Sequence, residues 1–342
     1  MSTIKQIAKL AGVSRGTVDR VLNNRGSVNP DTERKVREIA NAIHYSPNLA
    51  GKTLAAKKRQ LKLGYILFSS TASNPFFEDV VRGIESRADA LMEFGVTIEI
   101  RYAAIDNPKL QAALIDELLD LGIDGLVIVP INHPLVVEKI KALTDSGFPV
   151  VTANSDIPEC GRIAYVGSNY YKSGETSAGL MNLITSGEIN VGIIIGSPWV
   201  LCHSERVAGF TDYVEKHFAN VHIIDKAVNN DDDLDSLSVT KNMLESHPEI
   251  NALFLAAAGV SGACRAVKDL GLTKKLTVIS YDTTPTTCQL VREGIIAATI
   301  AQQPFTQGAK PLDILFDYLG MGLQPEKEFF HTKIEIKIKE NL

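Results

Sequence analysis

The residues best suited to chemistry in this 342-residue chain are polar groups set beside aromatics at the ends of short apolar runs. Asn74-Pro75-Phe76-Phe77 follows one run and Asn154-Ser155-Asp156 another, while Ser197-Pro198-Trp199 leads from a third into Ser204-Glu205-Arg206. Tyr281-Asp282 and Gln302-Gln303 close two more. Amides and carboxylates supply the hydrogen-bond partners that a polyhydroxylated ligand needs in a dry pocket, and aromatic faces pack on the C–H faces of sugar rings. Each residue also has a plainer reading. Phe76 and Phe77 suit the core of a helix, Asp282 a helix cap, Asn154 a turn, Gln302 the surface and Trp199 simple packing.

Other chemistries lack their residues. No P-loop and no GxGxxG follows any apolar run, so a phosphate cradle is not expected. Gly259-Val260-Ser261-Gly262-Ala263 carries Ala where a nucleophile elbow needs its last Gly. His203 and Ser204 are sequence neighbours, which a helix points apart. The seven histidines show no HxxxH or HxH spacing. Asp231-Asp232-Asp233 with Asp235 lacks the Gly and terminal Glu of a calcium loop and reads as a solvated loop. Cys160, Cys202, Cys264 and Cys288 are scattered, as idle thiols of a cytoplasmic protein would be. No catalytic set, metal site or cofactor is therefore expected. Nor is a membrane span, since no run of about 18 apolar residues occurs, and the start has no apolar signal-peptide core.

The elements that must hold these loops alternate. Apolar runs at 63–69, 96–102, 125–129, 150–153 and 164–166 are separated by amphipathic stretches at 76–94, 107–121 and 134–146. A similar series starts at 191–196 and continues through 221–228, 252–256, 277–281 and 297–301. Strand–helix alternation implies an α/β fold of two doubly wound parallel-sheet lobes. Ligands in such folds bind beyond the carboxyl ends of the strands, here in a cleft between the lobes.

The first sixty residues differ in both pattern and charge. They carry twelve Lys/Arg against four Asp/Glu, while the remainder carries 23 against 36. A basic head on an acidic body suggests a polyanion as partner of the head. Ser2 or Thr3 can cap a helix through Ile4, Ile7, Ala8 and Leu10, and Gly12 permits a tight turn. Ser14 then caps a second helix with Val18, Val21 and Leu22 on its apolar face. Asn29-Pro30-Asp31 starts a third, in which Val36, Ile39, Ala40 and Ile43 cover the other two. This is the layout of a helix-turn-helix, whose second helix enters the major groove with its N-terminal residues against base edges. Three short amphipathic helices that bind no DNA are the plainer alternative.

Ile4-Lys5-Gln6-Ile7-Ala8-Lys9-Leu10-Ala11-Gly12-Val13-Ser14 and Thr17-Val18-Asp19-Arg20-Val21-Leu22-Asn23 resemble the head of the lactose repressor family. Tyr45-Ser46-Pro47-Asn48 and Leu54-Ala55 resemble its hinge. The resemblance implies operator readout by Arg15 and Gly16, and backbone contacts by Thr17, Asn23 and Tyr45. Thr3, Ser14, Arg20, Asn48 and Gly51 complete the DNA-facing candidates, and Leu54 matches a leucine wedge that opens a base step in the minor groove. Asp19 stands where most members carry Ser. Gly51 stands where the hinge usually carries Ala, at a cost of roughly 1 kcal/mol in a helix interior.

Asn74–Phe77, Val278–Pro285 and Ala297–Pro304 resemble periplasmic ribose-binding proteins (type 1) and the sensor domains of ribose-type repressors. Carried over, the resemblance puts Asn74, Phe76, Phe77, Asn154, Ser204, Asp282 and Gln302 in the cleft, with Trp199 added from its loop position. Asn154-Ser155 replaces an Asp-Arg pair, Ser204 an Arg, and Ala257-Ala258 an Asn-Asp pair, so a sugar other than ribose, a polyol or a derivative is expected.

The expected organisation is a head over 1–46, a hinge over 47–61 and a sensor over 62–342. The N-lobe takes about 62–167 and 303–329, the C-lobe about 168–301 and 330–342. A cytoplasmic homodimer on a palindromic operator follows from paired heads, and no leucine-heptad tail suggests a tetramer. The rival expectation is a solute-binding protein of a sugar transport system.

Overall fold

The computed structural model describes residues 4–22, 28–43 and 59–342. In the head, α1 (Ile4–Ala11), α2 (Arg15–Leu22) and α3 (Pro30–Ala42) bury Ile7, Ala8, Ala11, Val18, Val21, Val36 and Ala40 among themselves. Gly12 makes the turn at φ +73°, and the Gly12 and Val13 amides both donate to the Ala8 carbonyl at 3.0 Å. The left-handed backbone there favours glycine. Asn29 caps α3, its Oδ1 accepting from the Asp31 amide at 2.9 Å, with Pro30 in the first helical position.

The first lobe of the body runs β1 (Lys62–Phe68), α4 (Phe76–Met92), β2 (Thr97–Ala103), α5 (Pro108–Asp120), β3 (Gly125–Ile128), α6 (Pro134–Asp145), β4 (Val150–Ala153) and β5 (Ala164–Gly167). The chain then crosses into α7 (Tyr170–Ile184), β6 (Ile189–Ile195), α8 (Leu201–His217), β7 (Val221–Val228) and α9 (Asp233–Ser246). The second lobe continues with β8 (Ala252–Leu255), α10 (Val260–Asp269), β9 (Thr277–Tyr281), α11 (Pro285–Arg292) and β10 (Ala298–Ala301). It returns through α12 (Pro304–Met321) and β11 (Phe329–His331) and reaches β12 (Glu335–Lys337), which a 3-10 turn at Lys339–Asn341 follows. The alternation read from the sequence is thus observed, with strand and helix ends within about two residues.

Each lobe is one six-stranded sheet, ordered β11-β5-β4-β3-β1-β2 and β12-β10-β9-β8-β6-β7. Among the described strands only β12 runs antiparallel to its neighbour. Strands covered on both faces by helices read as continuous apolar runs, as Leu63–Phe68 does. In both sheets the order reverses beside the central strand, between β1 and β3 and between β6 and β8. A doubly wound sheet opens its crevice at that switch point, so the loops after these four strands face one another. The final crossing lies at Thr332–Ile334, a few residues past the boundary expected near 329, because Phe329–His331 pairs with β5 of the first sheet.

Candidate functional site

The cleft is built where left-handed backbone turns strand ends inward. Asn154 (φ +58°), Asp231 (φ +59°), Asp282 (φ +68°) and Gln303 (φ +57°) follow β4, β7, β9 and β10. Non-glycine residues rarely hold this conformation, which costs on the order of 1–3 kcal/mol and gathers at functional sites. Asn74, Phe76, Phe77, Asn154, Asp282 and Gln302 all line one cavity, together with Phe68, Ile105, Val200, Cys202, His203, Arg206, Asp231 and Ala258. A wider mouth of about 340 Å³, bounded by Ser69, Thr71, Asp106, Ser197, Asn230 and Asp232, opens beside it.

The first lobe supplies rings and amides. Phe76 and Phe77 pack edge to face with centroids 5.2 Å apart, and Phe77 meets Phe68 in the same manner at 5.6 Å. Both are buried and both reach the cavity, so the core and pocket readings hold together. The Asn154 Nδ2 donates to the Tyr170 hydroxyl at 3.2 Å and to Gln307 Oε1 at 3.0 Å. The Gln307 Nε2 donates to the Gln302 carbonyl at 2.7 Å, and the Gln302 Nε2 donates to Asp282 Oδ1 at 2.7 Å. A chain of amides therefore runs from the second lobe, across the crossover between the lobes, to the first. Beside it, Ser168 Oγ and Thr332 Oγ1 share a hydrogen bond of 2.8 Å, and the Lys333 amide donates to Gln303 Oε1 at 2.9 Å.

The second lobe supplies charge. Arg206 on α8 is 3% exposed, its guanidinium 3.8 Å from the Tyr281 ring centroid and 4.8 Å from that of Tyr170. One Nη donates to the Ala256 carbonyl at 2.8 Å, while its buried Nε has no partner. Burial opposes the charge, but Cys202, Tyr281, Tyr170 and Asp282 more than offset it, so the pKa stands above the ordinary value and the group stays cationic. Helices α7 and α8 approach closely enough to form this sandwich because Gly174 and Gly209 face each other's backbones. A Cβ on Gly174 would collide with the Arg206 carbonyl, and one on Gly209 with that of Tyr171.

His203, one helical turn before Arg206, sits with Nδ1 3.2 Å from the Ser197 carbonyl and Nε2 3.6 Å from Asp231 Oδ1. Burial would lower its pKa, but Asp231 and Cys202 together outweigh burial and push it up to about 9. Asp231 also accepts from the Ser197 amide at 2.9 Å and the Ala258 amide at 3.2 Å. The acidic run is thus no solvated loop: Asp231 is buried, and Asp232 caps α9 through the Leu234 and Asp235 amides. Desolvation raises the Asp282 pKa, against the pull of Arg206 and the Gln302 amide.

Two candidates fall outside the cavity lining. Ser204 is exposed, its hydroxyl donating to the Leu201 carbonyl at 2.9 Å. It lies about 100° round the helix from His203 and about 200° from Arg206, so it turns away from the face they share. Trp199 lies at the rim, half exposed and tilted over His133 with centroids 5.0 Å apart, while its carbonyl accepts from the Asn132 amide at 2.7 Å. Sequence reading named Arg206 only within the Ser204–Arg206 stretch, weighed His203 only as a dyad partner, took Asp231 for a solvated loop and missed Gln307. The available signal was positional: Cys202, His203, Arg206 and Phe210 fall on one buried stripe of α8.

In the head, Ser14 caps α2. Its Oγ accepts from the Thr17 amide at 3.1 Å and meets the Thr17 hydroxyl at 2.9 Å. Arg15, Gly16 and Arg20 are exposed along the same helix, and Arg20 donates to the Gly16 carbonyl at 3.3 Å. Thr3, Asn23, Tyr45, Asn48, Gly51 and Leu54 lie outside the described residues.

A helix-turn-helix ahead of two lobes around a polar cleft defines a DNA-binding regulator with a sensor body. Residues 3–48 match the bacterial regulatory proteins of the lacI family, and residues 65–323 match the periplasmic binding protein domain. The chain belongs to the lacI family of transcription regulators, with a periplasmic-binding-protein domain as its body. It is 26% identical to the HTH-type transcriptional regulator DegA of Bacillus subtilis over 91% of this chain and 87% of that protein. It is 27% identical to the Ribose import binding protein RbsB of the same organism, over 75% of this chain and 81% of the other. A solute-binding protein from Burkholderia graminis, solved in complex with D-arabinose, superposes with a TM-score of 0.76 at 25% identity, covering 82% of this chain and 96% of that one. The lacI-type head favours a regulator over a transport protein. Among the described residues no helix is long and apolar enough to cross a membrane.

Proposed function

We propose that the chain is a cytoplasmic, homodimeric repressor whose grip on a palindromic operator is set by a small sugar, polyol or sugar derivative in the cleft. The observation that supports this most is the amide chain Asp282–Gln302–Gln307–Asn154 that joins the two lobes. A polyol seated on Asp282 and Asn154 ties both lobes to one object, and a change in their closure moves the segments that lead to the two heads. Operator and effector are then coupled reciprocally, typically by about 1–3 kcal/mol. On this reading the aromatics stack on the sugar face, while Asn74, Asn154, Arg206, Asp282 and Gln302 pair its hydroxyls, and no catalytic step is required of any of them. Arg15, Gly16 and Arg20 read the operator, with Ser14 and Thr17 on its backbone.

Two measurements test this. Operator selection with purified protein is expected to enrich a palindrome bound with steep salt dependence. A thermal-shift panel of sugars and polyols is expected to give a best compound whose affinity falls about 100-fold in Asp282→Ala, the range for a charge-assisted pair lost from a buried site. An unchanged shift in that variant would remove Asp282 from the site.

A further inference from the structure

The cleft contains two cations, and both are already committed. His203 lies between the Ser197 carbonyl and Asp231. Arg206 is stacked between Tyr170 and Tyr281, donates to the Ala256 carbonyl and feels the charge of Asp282. Two wholly buried polar atoms of the cleft lining have no hydrogen-bond partner, the donor Arg206 Nε and the acceptor Gln302 Oε1, each in a side chain 3% exposed. A hydroxyl both donates and accepts, so an alcohol can satisfy both where a carboxylate or phosphate oxygen can only accept. A carboxylate or phosphate group seated against this pair would leave Gln302 Oε1 without a donor and oppose it with a second acceptor.

The approach to the cleft adds to this. Asp106, Asp231 and Asp232 line the wide mouth, which has no Lys or Arg in its lining. The neighbouring recess between the Asn74 loop and α11 adds Asp233 and Asp282, again with no cation. Five carboxylates thus bound the connected cavities against two committed cations. Like charge at a low-dielectric mouth disfavours an anionic ligand on entry as well as in the seat.

We infer that the effector is an uncharged polyhydroxyl compound, and that the cleft rejects the corresponding sugar acids and sugar phosphates. The inference rests on the effector reading above and narrows it to one charge class.

The test is calorimetry and thermal shift with the full chain at neutral pH on matched sets: D-ribose, D-glucose and D-galactose, their polyols, their uronic or aldonic acids, and their terminal phosphates. The expected result is that the tightest ligand is neutral and that its acid and phosphate counterparts bind at least 100-fold more weakly. In Asp282→Asn, which frees Arg206 of its facing charge, that ratio is expected to fall at least tenfold. An acid or phosphate that equals or beats its neutral counterpart overturns the inference while leaving a sugar-type effector standing. A ratio unchanged in Asp282→Asn overturns the account of how Arg206 is committed. No response from any compound overturns the inference together with the effector reading beneath it.

Discussion

The first lobe lines the cleft with Asn74, Phe76, Phe77 and Asn154, whereas the second lines it with Arg206, His203, Asp231 and Asp282. Rings and amides recognise shape and hydroxyl pattern through many weak contacts, each worth about 1 kcal/mol. Buried ions act through fewer and steeper ones, because removing one partner strands the other in low dielectric. The two walls should therefore respond differently to substitution. The first should tune affinity by degrees, and the second should gate it.

The largest expected effect tests that asymmetry directly. Arg206→Lys keeps the charge but loses the planar fork and the stacking on Tyr170 and Tyr281, so effector affinity should fall about 100-fold. Asn74→Ala on the opposite wall should cost only about tenfold. Equal losses in titration calorimetry would break the contrast between the walls.

Next is the packing that aims the ionic wall. Gly209→Ala places a methyl group against the Tyr171 carbonyl and should destabilise the body by about 3 kcal/mol, in the range for overpacking. Gly179→Ala, on the same helix pair with open space around it, should instead be neutral or stabilising by up to about 1 kcal/mol. Denaturant unfolding distinguishes them, and similar losses in both would show that helix approach is not what Gly209 provides.

The smallest effect is on pH. His203 ordinarily titrates at 6.5 and is held at about 9 in the folded protein. Below 6.5 both folded and unfolded chains carry the proton, and its stabilisation is complete. As pH rises from 6.5 through 9, the unfolded chain has released the proton and the contribution is lost. Tm should therefore decline by on the order of 5 °C over that window, and His203→Gln should flatten the decline. A wild-type profile already flat over that range would mean that His203 and Asp231 are not paired as a charged couple.

The legibility of the two walls from sequence differs for a geometric reason. Asn154, Asp282 and Gln302 directly follow a strand's carboxyl end, and Asn74 and Phe76 lie on the loop and helix start that follow β1, positions that the α/β rule puts at the crevice whatever the rest of the chain does. Arg206 and His203 lie inside a helix, where only the rotational face decides what is reached. The same segment offered Ser204, which a comparison of aligned positions selects and the 3.6-residue period turns outward. Asp231 looked like surface because three carboxylates in a row read as solvated. The amides of Ser197 and Ala258 and the His203 ring, which give it a buried place, come from segments 27 to 34 residues away.

The sequence by itself therefore determined the architecture and the head: periodicity, caps and turn residues are local, and local chemistry fixes the helices, the strands and their alternation. It also determined the positions at the strand ends that open on the cleft. Only the tertiary structure decided which charges stand there and which are already spent on each other. Pairing of Arg206 with two tyrosines, of His203 with Asp231, and of Gln302 with Asp282 depends on close approach of elements far apart in the chain, which no local pattern encodes.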